Sequence, residues 1–148
     1  MKAKRLLKLA DFLEKLPEKK RKGKFDMDTF GKHVGPHHPK KYNYCGTSAC
    51  ALGWATTSPY FRRLGLKAGW RKMGRKGSPG YRWRMDMSYR KLHEFAAAGR
   101  LFDIPEMEAY FLFGGGELTS RRKVIRSLRK LARLGVTKFR LAHGASYQ

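Results

Sequence analysis

The residues of this chain that could bind a metal lie before position 51. Three histidines and the two cysteines occur there, and two imidazole nitrogens with two thiolates are a ligand set that zinc uses. The candidate ligands are His33, His37, His38, Cys45 and Cys50. Structural zinc sites use tighter cysteine pairs, and a cysteine on an apolar helix packs as a small core residue. The sequence therefore predicts no cofactor, with a zinc site as the alternative.

A catalytic role for Cys45 is the second chemical interpretation. Cys45 stands just before a predicted helix, and a helix N-terminus lowers the pKa of a thiol, as in thiol hydrolases. The general base would have to be His93 or His143, which are distant in the sequence, and no orienting Asn or Asp is identifiable. The glycines at 114–116 lack the lysine and hydroxyl of a P-loop. The sequence therefore predicts a protein that is not an enzyme.

The spacing of the apolar residues predicts that helices carry these side chains. A chain of 148 residues is about one domain. Helical spacing or helix-boundary residues occur in the stretches 1–16, 47–57, 58–65 (a short helix), 88–103, 104–113 and 119–135. The helix at 47–57 is apolar nearly all round, so we expect the rest of the fold to enclose it. The predicted fold is all-α: residues 1–148 form one compact bundle of about five helices, with residues 137–148 as a flexible tail.

Residues 66–85 are predicted to form a long basic loop inserted into this bundle. Glycines punctuate the stretch, and an alternation typical of a strand occurs only around 81–85, where a hairpin is the alternative. The candidate binding residues here are Trp70, Arg71, Lys72, Arg75, Lys76, Arg82, Trp83 and Arg84. Aromatic rings among arginines suit a surface that neutralises phosphates and stacks on bases. The alternative is that the rings fold inward and fix the loop to the core.

The distribution of charge is the strongest indication of function. The formal net charge is +23 and the sequence pI is about 10.6. Residues 29–85 contain twelve Lys and Arg but no Asp or Glu, and residues 118–148 contain nine and again none. Residues 86–117 contain six acids against three bases, so the positive field is confined to particular faces. Such faces favour a polyanionic partner.

The last predicted helix is expected to carry one of these positive faces. Its basic residues recur three and four positions apart, opposite an apolar stripe at 124, 125, 128, 131 and 132. They are Arg122, Lys123, Arg126, Arg129, Lys130 and Arg133. Like charges at this spacing repel one another, which an anion bound between them would relieve. The alternative is an ordinary solvated face of an amphipathic helix.

Several short motifs give the chain a resemblance. They are Phe25-Asp26-Met27, Cys45-Gly46-Thr47, Cys50 and Gly53-Trp54-Ala55, followed by later pieces at 92–103 and 108–113. On these motifs the chain resembles a group of small uncharacterised proteins of phages and bacteria, with a Leu-rich first helix and a Cys-Gly-Thr-x-x-Cys-x-x-Gly helix. The resemblance implies a fold and no activity. The chain departs from the group in its basic loop and its cationic last helix.

Together these features predict a non-catalytic, phage-encoded protein that binds DNA or RNA mainly through phosphate contacts. One alternative is a phage inhibitor or adaptor that binds an acidic or nucleic-acid-binding surface of a host protein. Another is a component of a ribonucleoprotein particle. No apolar run approaches the roughly 20 residues that span a bilayer, and no secretory signal is present. We therefore expect a cytoplasmic protein with no membrane partner.

Overall fold

The computed structural model describes residues 1–16, 50–73, 76, 82–114, 118 and 120–142, and at 70–73 and 82–85 the description covers the backbone alone. Within these ranges the chain forms helices and strands in mixed order. The helices are α1 (Ala3–Glu14), α2 (Ala51–Ala55), α3 (Pro59–Arg63), α4 (Glu94–Phe102), α5 (Glu106–Phe113) and α6 (Arg121–Ala142). The strands are β1 (Lys67–Met73), β2 (Arg82–Tyr89) and β3 (Leu92–His93).

The three strands form one antiparallel sheet in the order β1-β2-β3. The register places Lys67 opposite Ser88 and Ser88 opposite His93. The prediction of an all-α fold is therefore wrong, because the stretch expected to be a basic loop contains β1 and the first half of β2. Glycine and lysine are depleted in strands, but strand preference depends on context, and pairing along the whole of β1 overrides the weak local preference.

The end of β2 faces the core with every second residue. Met87 and Tyr89 are buried, while Ser88 between them is half-buried, as alternation along a strand requires. The helical stretch predicted at 88–103 is wrong at its start: Ser88 lies inside β2, and α4 begins only at Glu94, after the two-residue strand β3. A helical and an alternating pattern are hard to separate over so few residues.

Helices α1 and α6 pack against each other through their apolar stripes. The stripe of α1 is Leu6, Leu9, Ala10 and Leu13, and that of α6 is Val124, Ile125, Leu128 and Leu131. The guanidinium of Arg121 reaches the carbonyl oxygen of Leu16, and that of Arg129 reaches Asp11, so the helices run antiparallel. The inward-facing stripe predicted for the last helix is confirmed, apart from Ala132, which is half-buried.

The core behind these helices is aromatic. All five residues of α2 are buried, which confirms that this short apolar helix is enclosed. The ring of Phe102 stacks on Phe113 at a centroid distance of 5.6 Å and meets the edge of Phe61 at 5.9 Å. These rings join α3, α4 and α5, and they belong to the same core cluster as the apolar stripes of α1 and α6.

The sequence predicted that the last helix ends at Gly135. Helix α6 instead bends at this residue and continues. Gly135 has φ 76° and ψ 168°, a region that is essentially restricted to glycine. The helix then continues to Ala142, and Phe139 is buried with its ring 6.0 Å from that of Phe111. Residues 143–148 of the predicted tail lie outside the described ranges.

Candidate nucleic-acid interface

The basic residues of α6 lie on the side of the helix that faces away from the core. Five of the six predicted binding residues on this helix are exposed, namely Arg122, Lys123, Arg126, Arg129 and Arg133, and the sixth, Lys130, is half-buried. Their positions follow from the 3.6-residue period, because Val124, Leu128 and Leu131 occupy the opposite side and are buried. The helix thus carries a row of guanidinium groups toward solvent.

Arg129 differs from the rest of this row, because it is paired with two carboxylates of α1. Its Nη1 donates to Glu14 Oε1 at 3.1 Å, and its Nη2 donates to Glu14 Oε2 at 2.7 Å and to Asp11 Oδ1 at 3.1 Å. Helix α6 has no carboxylate of its own to pair with these cations, and the carboxylates that bind Arg129 come from the neighbouring helix α1. Arg129 therefore joins α6 to α1.

The pairing lowers the pKa of Glu14 below its ordinary range, first through the hydrogen bonds from Arg129 and then through its charge. In Arg129→Gln the pKa of Glu14 is expected to rise toward its ordinary value, measured by carboxyl-carbon NMR during an acid titration. Arg133→Gln removes the same charge from the same helix without touching Glu14 and should leave that pKa nearly unchanged. Because the folded-state pKa is lowered, the pair stabilises the protein at neutral pH, and this contribution is lost as the pH falls through the lowered pKa.

The ion pair between Asp11 and Arg129 marks a point where α1 and α6 meet, and it therefore identifies the other cations of both helices that lie near this point. On α1, Lys8 and Lys15 stand three positions before and four positions after Asp11, and both are exposed. On α6, Arg126 and Arg133 stand three before and four after Arg129. Residues three or four apart lie on the same face of a helix, so these four cations surround the bridge.

We call this region the two-helix surface, and define it by Lys8, Lys15, Arg122, Arg126 and Arg133. The contribution of α1 was not predicted, although Lys4, Lys8 and Lys15, at steps of four and seven and all exposed, were a signal for it. Among residues 1–16, 50–73, 82–114 and 120–142, no carboxylate lies within ion-pair distance of any of the five defining side chains. Among the described residues, the five cations and Arg129 outnumber Asp11 and Glu14, so this surface has a net positive charge.

The predicted binding residues of the basic segment lie on the β1–β2 hairpin. Trp70, Arg71 and Lys72 are in β1, and Arg82, Trp83 and Arg84 are in β2. The register places Arg71 opposite Arg84, Lys72 opposite Trp83, and Trp70 opposite Met85. Lys76 is exposed between the strands, and Arg75 lies outside the described residues. The pairing thus brings the two halves of the basic segment side by side.

The predicted metal ligands are mostly outside the part of the chain that the structure describes. His33, His37, His38 and Cys45 are all in that category. Cys50 is 1% exposed at the N-cap position of α2 and belongs to the apolar core. Within the described ranges, no group of three or more His, Cys, Asp or Glu side chains could hold a metal ion.

His93, considered above as a general base, is hydrogen-bonded to Asp86. The distance from His93 Nδ1 to Asp86 Oδ2 is 2.6 Å, and the aspartate is buried while the imidazole is half exposed. Asp86 lies in β2 and His93 in β3, so the contact links adjacent strands at the start of α4. The nucleophile proposed for it, Cys45, lies outside the described residues.

None of the described helices is both long enough and apolar enough to cross a membrane. Comparison with protein-family models, with curated proteins and with solved structures gave no match to this chain.

Proposed function

We propose that this protein is a non-catalytic nucleic-acid-binding protein, of the kind that phages encode, acting in the host cytoplasm through contacts to backbone phosphates. The observation that supports this most strongly is the two-helix surface. It presents cations from two separate helices on one face, with no carboxylate from the described residues paired to them. A negatively charged polymer is the partner that fits such a face.

The energetic reason is the mutual repulsion of these cations in the unbound protein. Arg122 and Arg126 are one helical turn apart, as are Arg126 and Lys130, and like charges at this spacing destabilise a helix by a few tenths of a kcal/mol per pair. A phosphate backbone relieves this repulsion, and its condensed counterions are released to solvent when it binds. The surface contributes little to folding and much to binding a polyanion.

The β1–β2 hairpin is proposed as the second contact region. Its register places Arg71 and Arg84 at opposite positions, so the residues proposed to bind phosphate come from both strands. Trp70 and Trp83 are the residues proposed to stack on exposed bases, a contact that tolerates any sequence. The binding is therefore proposed to be general, with affinity set by charge and stacking instead of by base-edge hydrogen bonds.

The test is the dependence of affinity on salt for an unrelated DNA or RNA duplex. The logarithm of the binding constant is expected to fall steeply and linearly with the logarithm of salt concentration. The double variant Arg126→Gln/Arg133→Gln should bind about tenfold more weakly at about 0.1 M salt, with a slope smaller by about 1.8, because each phosphate contact contributes about 0.9. Titrations of fluorescent duplexes by anisotropy measure both quantities.

The matched control is Arg62→Gln/Arg63→Gln, which removes the same two charges from exposed positions on α3. It should preserve the slope of the unmodified protein. A flat salt response, or equal losses in the two double variants, would reject phosphate binding at the two-helix surface. If a stoichiometric protein partner is then retained after exhaustive nuclease treatment, the surface binds an acidic face of another protein instead.

A further inference from the structure

A groove lies at the edge of the two-helix surface, between the first two turns of α6 and the end of α1. Its volume is about 320 Å³, and it is lined by Glu14, Arg121, Arg122, Ile125, Arg126 and Arg129. Four guanidinium groups and one carboxylate thus surround one space, giving a formal charge of +3 from four positive groups and one negative group. The groove is where the cations of this surface are most concentrated.

Two of the four arginines are held in place by the protein. Arg121 is half-buried, and its Nη1 donates to the carbonyl oxygen of Leu16 at 2.8 Å. Arg129 is held by Glu14 and Asp11, and the hydrogen bonds occupy Nη1 and Nη2 of its guanidinium. Because these side chains are already ordered, the entropy of fixing them need not be supplied when a ligand binds.

The other two arginines have donors to spare. Arg122 and Arg126 are exposed, stand one helical turn apart and line the same groove. Neither has a hydrogen-bond or ion-pair partner for its guanidinium among the described residues. Arg129 pairs with both Glu14 and Asp11, so this cluster of one guanidinium and two carboxylates has a formal charge of −1. Arg122 and Arg126 pair with no carboxylate of the described residues, and their charge is left for a ligand.

The ligand chemistry follows from the arrangement of donors. An arginine presents a rigid fork of N–H groups that matches the oxygens of phosphate or carboxylate. A planar carboxylate is satisfied by one fork, whereas a tetrahedral phosphate has oxygens pointing in several directions and can use forks from different side chains. Arg122 and Arg126 approach from the α6 side of the groove, with the fixed Arg121 and Arg129 beside them. A phosphate group uses this arrangement more fully than a carboxylate does.

We propose that this groove is a discrete phosphate-binding site, in which Arg122 and Arg126 bind the oxygens of one phosphate group and Arg121, held by the carbonyl oxygen of Leu16, adds a further positive charge beside them. This rests on the proposed function, in that the phosphate is assigned to a nucleic-acid strand whose neighbouring phosphates contact Lys8, Lys15 and Arg133. The two sources of such a group are a backbone phosphodiester and a terminal phosphomonoester. The chemistry that recognises them is the same.

The first experiment uses inorganic phosphate alone with the full chain at low ionic strength. Titration followed by NMR of the arginine Nε–Hε signals should show saturable shifts at Arg122 and Arg126. In Arg122→Gln/Arg126→Gln at least two charge-assisted hydrogen bonds are lost, and the affinity for phosphate, followed there on the Nε–Hε signals of Arg121 and Arg129, should fall by at least about tenfold. In the control Arg62→Gln/Arg63→Gln it should change less than twofold. Circular dichroism confirms that each variant is folded.

Shifts that rise linearly without saturation, or equal losses in both double variants, would overturn the groove as a discrete site. The phosphate titration and the salt experiment test different claims, so their outcomes can differ. A steep salt slope without saturable phosphate binding would support the proposed function and reject the groove as a phosphate site. Saturable phosphate binding with a flat salt slope would support the groove as a phosphate site and reject the proposed function.

The source of the phosphate is found by comparing oligonucleotides with and without a 5′-phosphate. A preference of about tenfold for the phosphorylated strand, lost in Arg122→Gln/Arg126→Gln, supports the proposal and assigns a terminal phosphate to the groove. Equal affinity for the two strands, reduced in the same variant, supports the proposal and assigns a backbone phosphate. If Arg122→Gln/Arg126→Gln binds both strands as tightly as the unmodified protein does, the assignment to nucleic acid is overturned.

Discussion

Replacing Leu131 with alanine is expected to lower the free energy of unfolding by about 3 kcal/mol, as measured by urea denaturation. Leu131 is 0% exposed and lies in the apolar stripe of α6 that packs against α1. Its truncation removes buried methyl groups and leaves a cavity that the surrounding side chains fill only in part. The loss should appear as a lower midpoint with an unchanged dependence on denaturant.

Leu141→Ala is the matched control, because it makes the same chemical change on the same helix at a side chain that is 78% exposed. It should change the free energy of unfolding by no more than about 0.5 kcal/mol. Leu131→Ala tests the rotation of the segment of α6 before the bend at Gly135, and Leu141→Ala, beyond that bend, gives the cost of the same truncation at an exposed side chain. If Leu131→Ala were harmless and Leu141→Ala costly, the apolar stripe would not face the core, and Arg126 and Arg133 would not form an outward surface.

The helices of this fold were largely predictable from local pattern. The inward stripes of α1 and α6 follow from apolar residues three and four positions apart, and the fold contains both. Helix α3 begins at Pro59 after Ser58, and Gly65 with φ 96° follows its end, as the same residues predicted. These features depend on neighbours within one or two turns, which the sequence displays directly.

The sheet was predicted only through the alternative of a hairpin around 81–85, because its strands are defined by pairing between distant residues. Lys67 and Ser88 are opposite each other across 21 positions of sequence, and neither flank of the hairpin reads as a strong strand alone. Glycines and charged residues lower the local preference for a strand. Cross-strand hydrogen bonds and the burial of Met87 and Tyr89 stabilise the strands despite this low local preference.

The candidate site was predicted only in part, because some of it depends on contacts between residues that are distant in the sequence. The row of cations on α6 follows from helical spacing, and five of its six members are exposed. The pairing of Arg129 with Asp11 and Glu14 joins residues more than 100 positions apart, and no local pattern indicates it. The spacing of Lys8 and Lys15 shows only that they lie on one side of the first helix. Only the packing of α1 against α6 places them beside Arg126 and Arg133.

The last large effect is expected at Glu108, a carboxylate buried inside the molecule. Glu108 is 0% exposed in α5 and its Oε1 accepts from Nε of Arg140 on the last turns of α6. Oε2 of Glu108 has no hydrogen-bond partner among the described residues. Removing the guanidinium with Arg140→Met leaves this carboxylate buried without its cation, which is expected to cost about 3 kcal/mol in a denaturation experiment.

The double variant Glu108→Met/Arg140→Met should recover most of that loss, because it removes the buried charge along with its partner and replaces both with apolar groups. Arg133→Met supplies the control on the same helix. Its guanidinium is exposed and has no carboxylate partner among the described residues, so its loss should cost less than about 0.5 kcal/mol. Equal free energies of unfolding for Arg140→Met and Arg133→Met would show that the burial of Glu108 costs no more without Arg140 than with it. In that case the packing of Phe139 against Phe111, and not the ion pair, would hold the segment after Gly135 to α5.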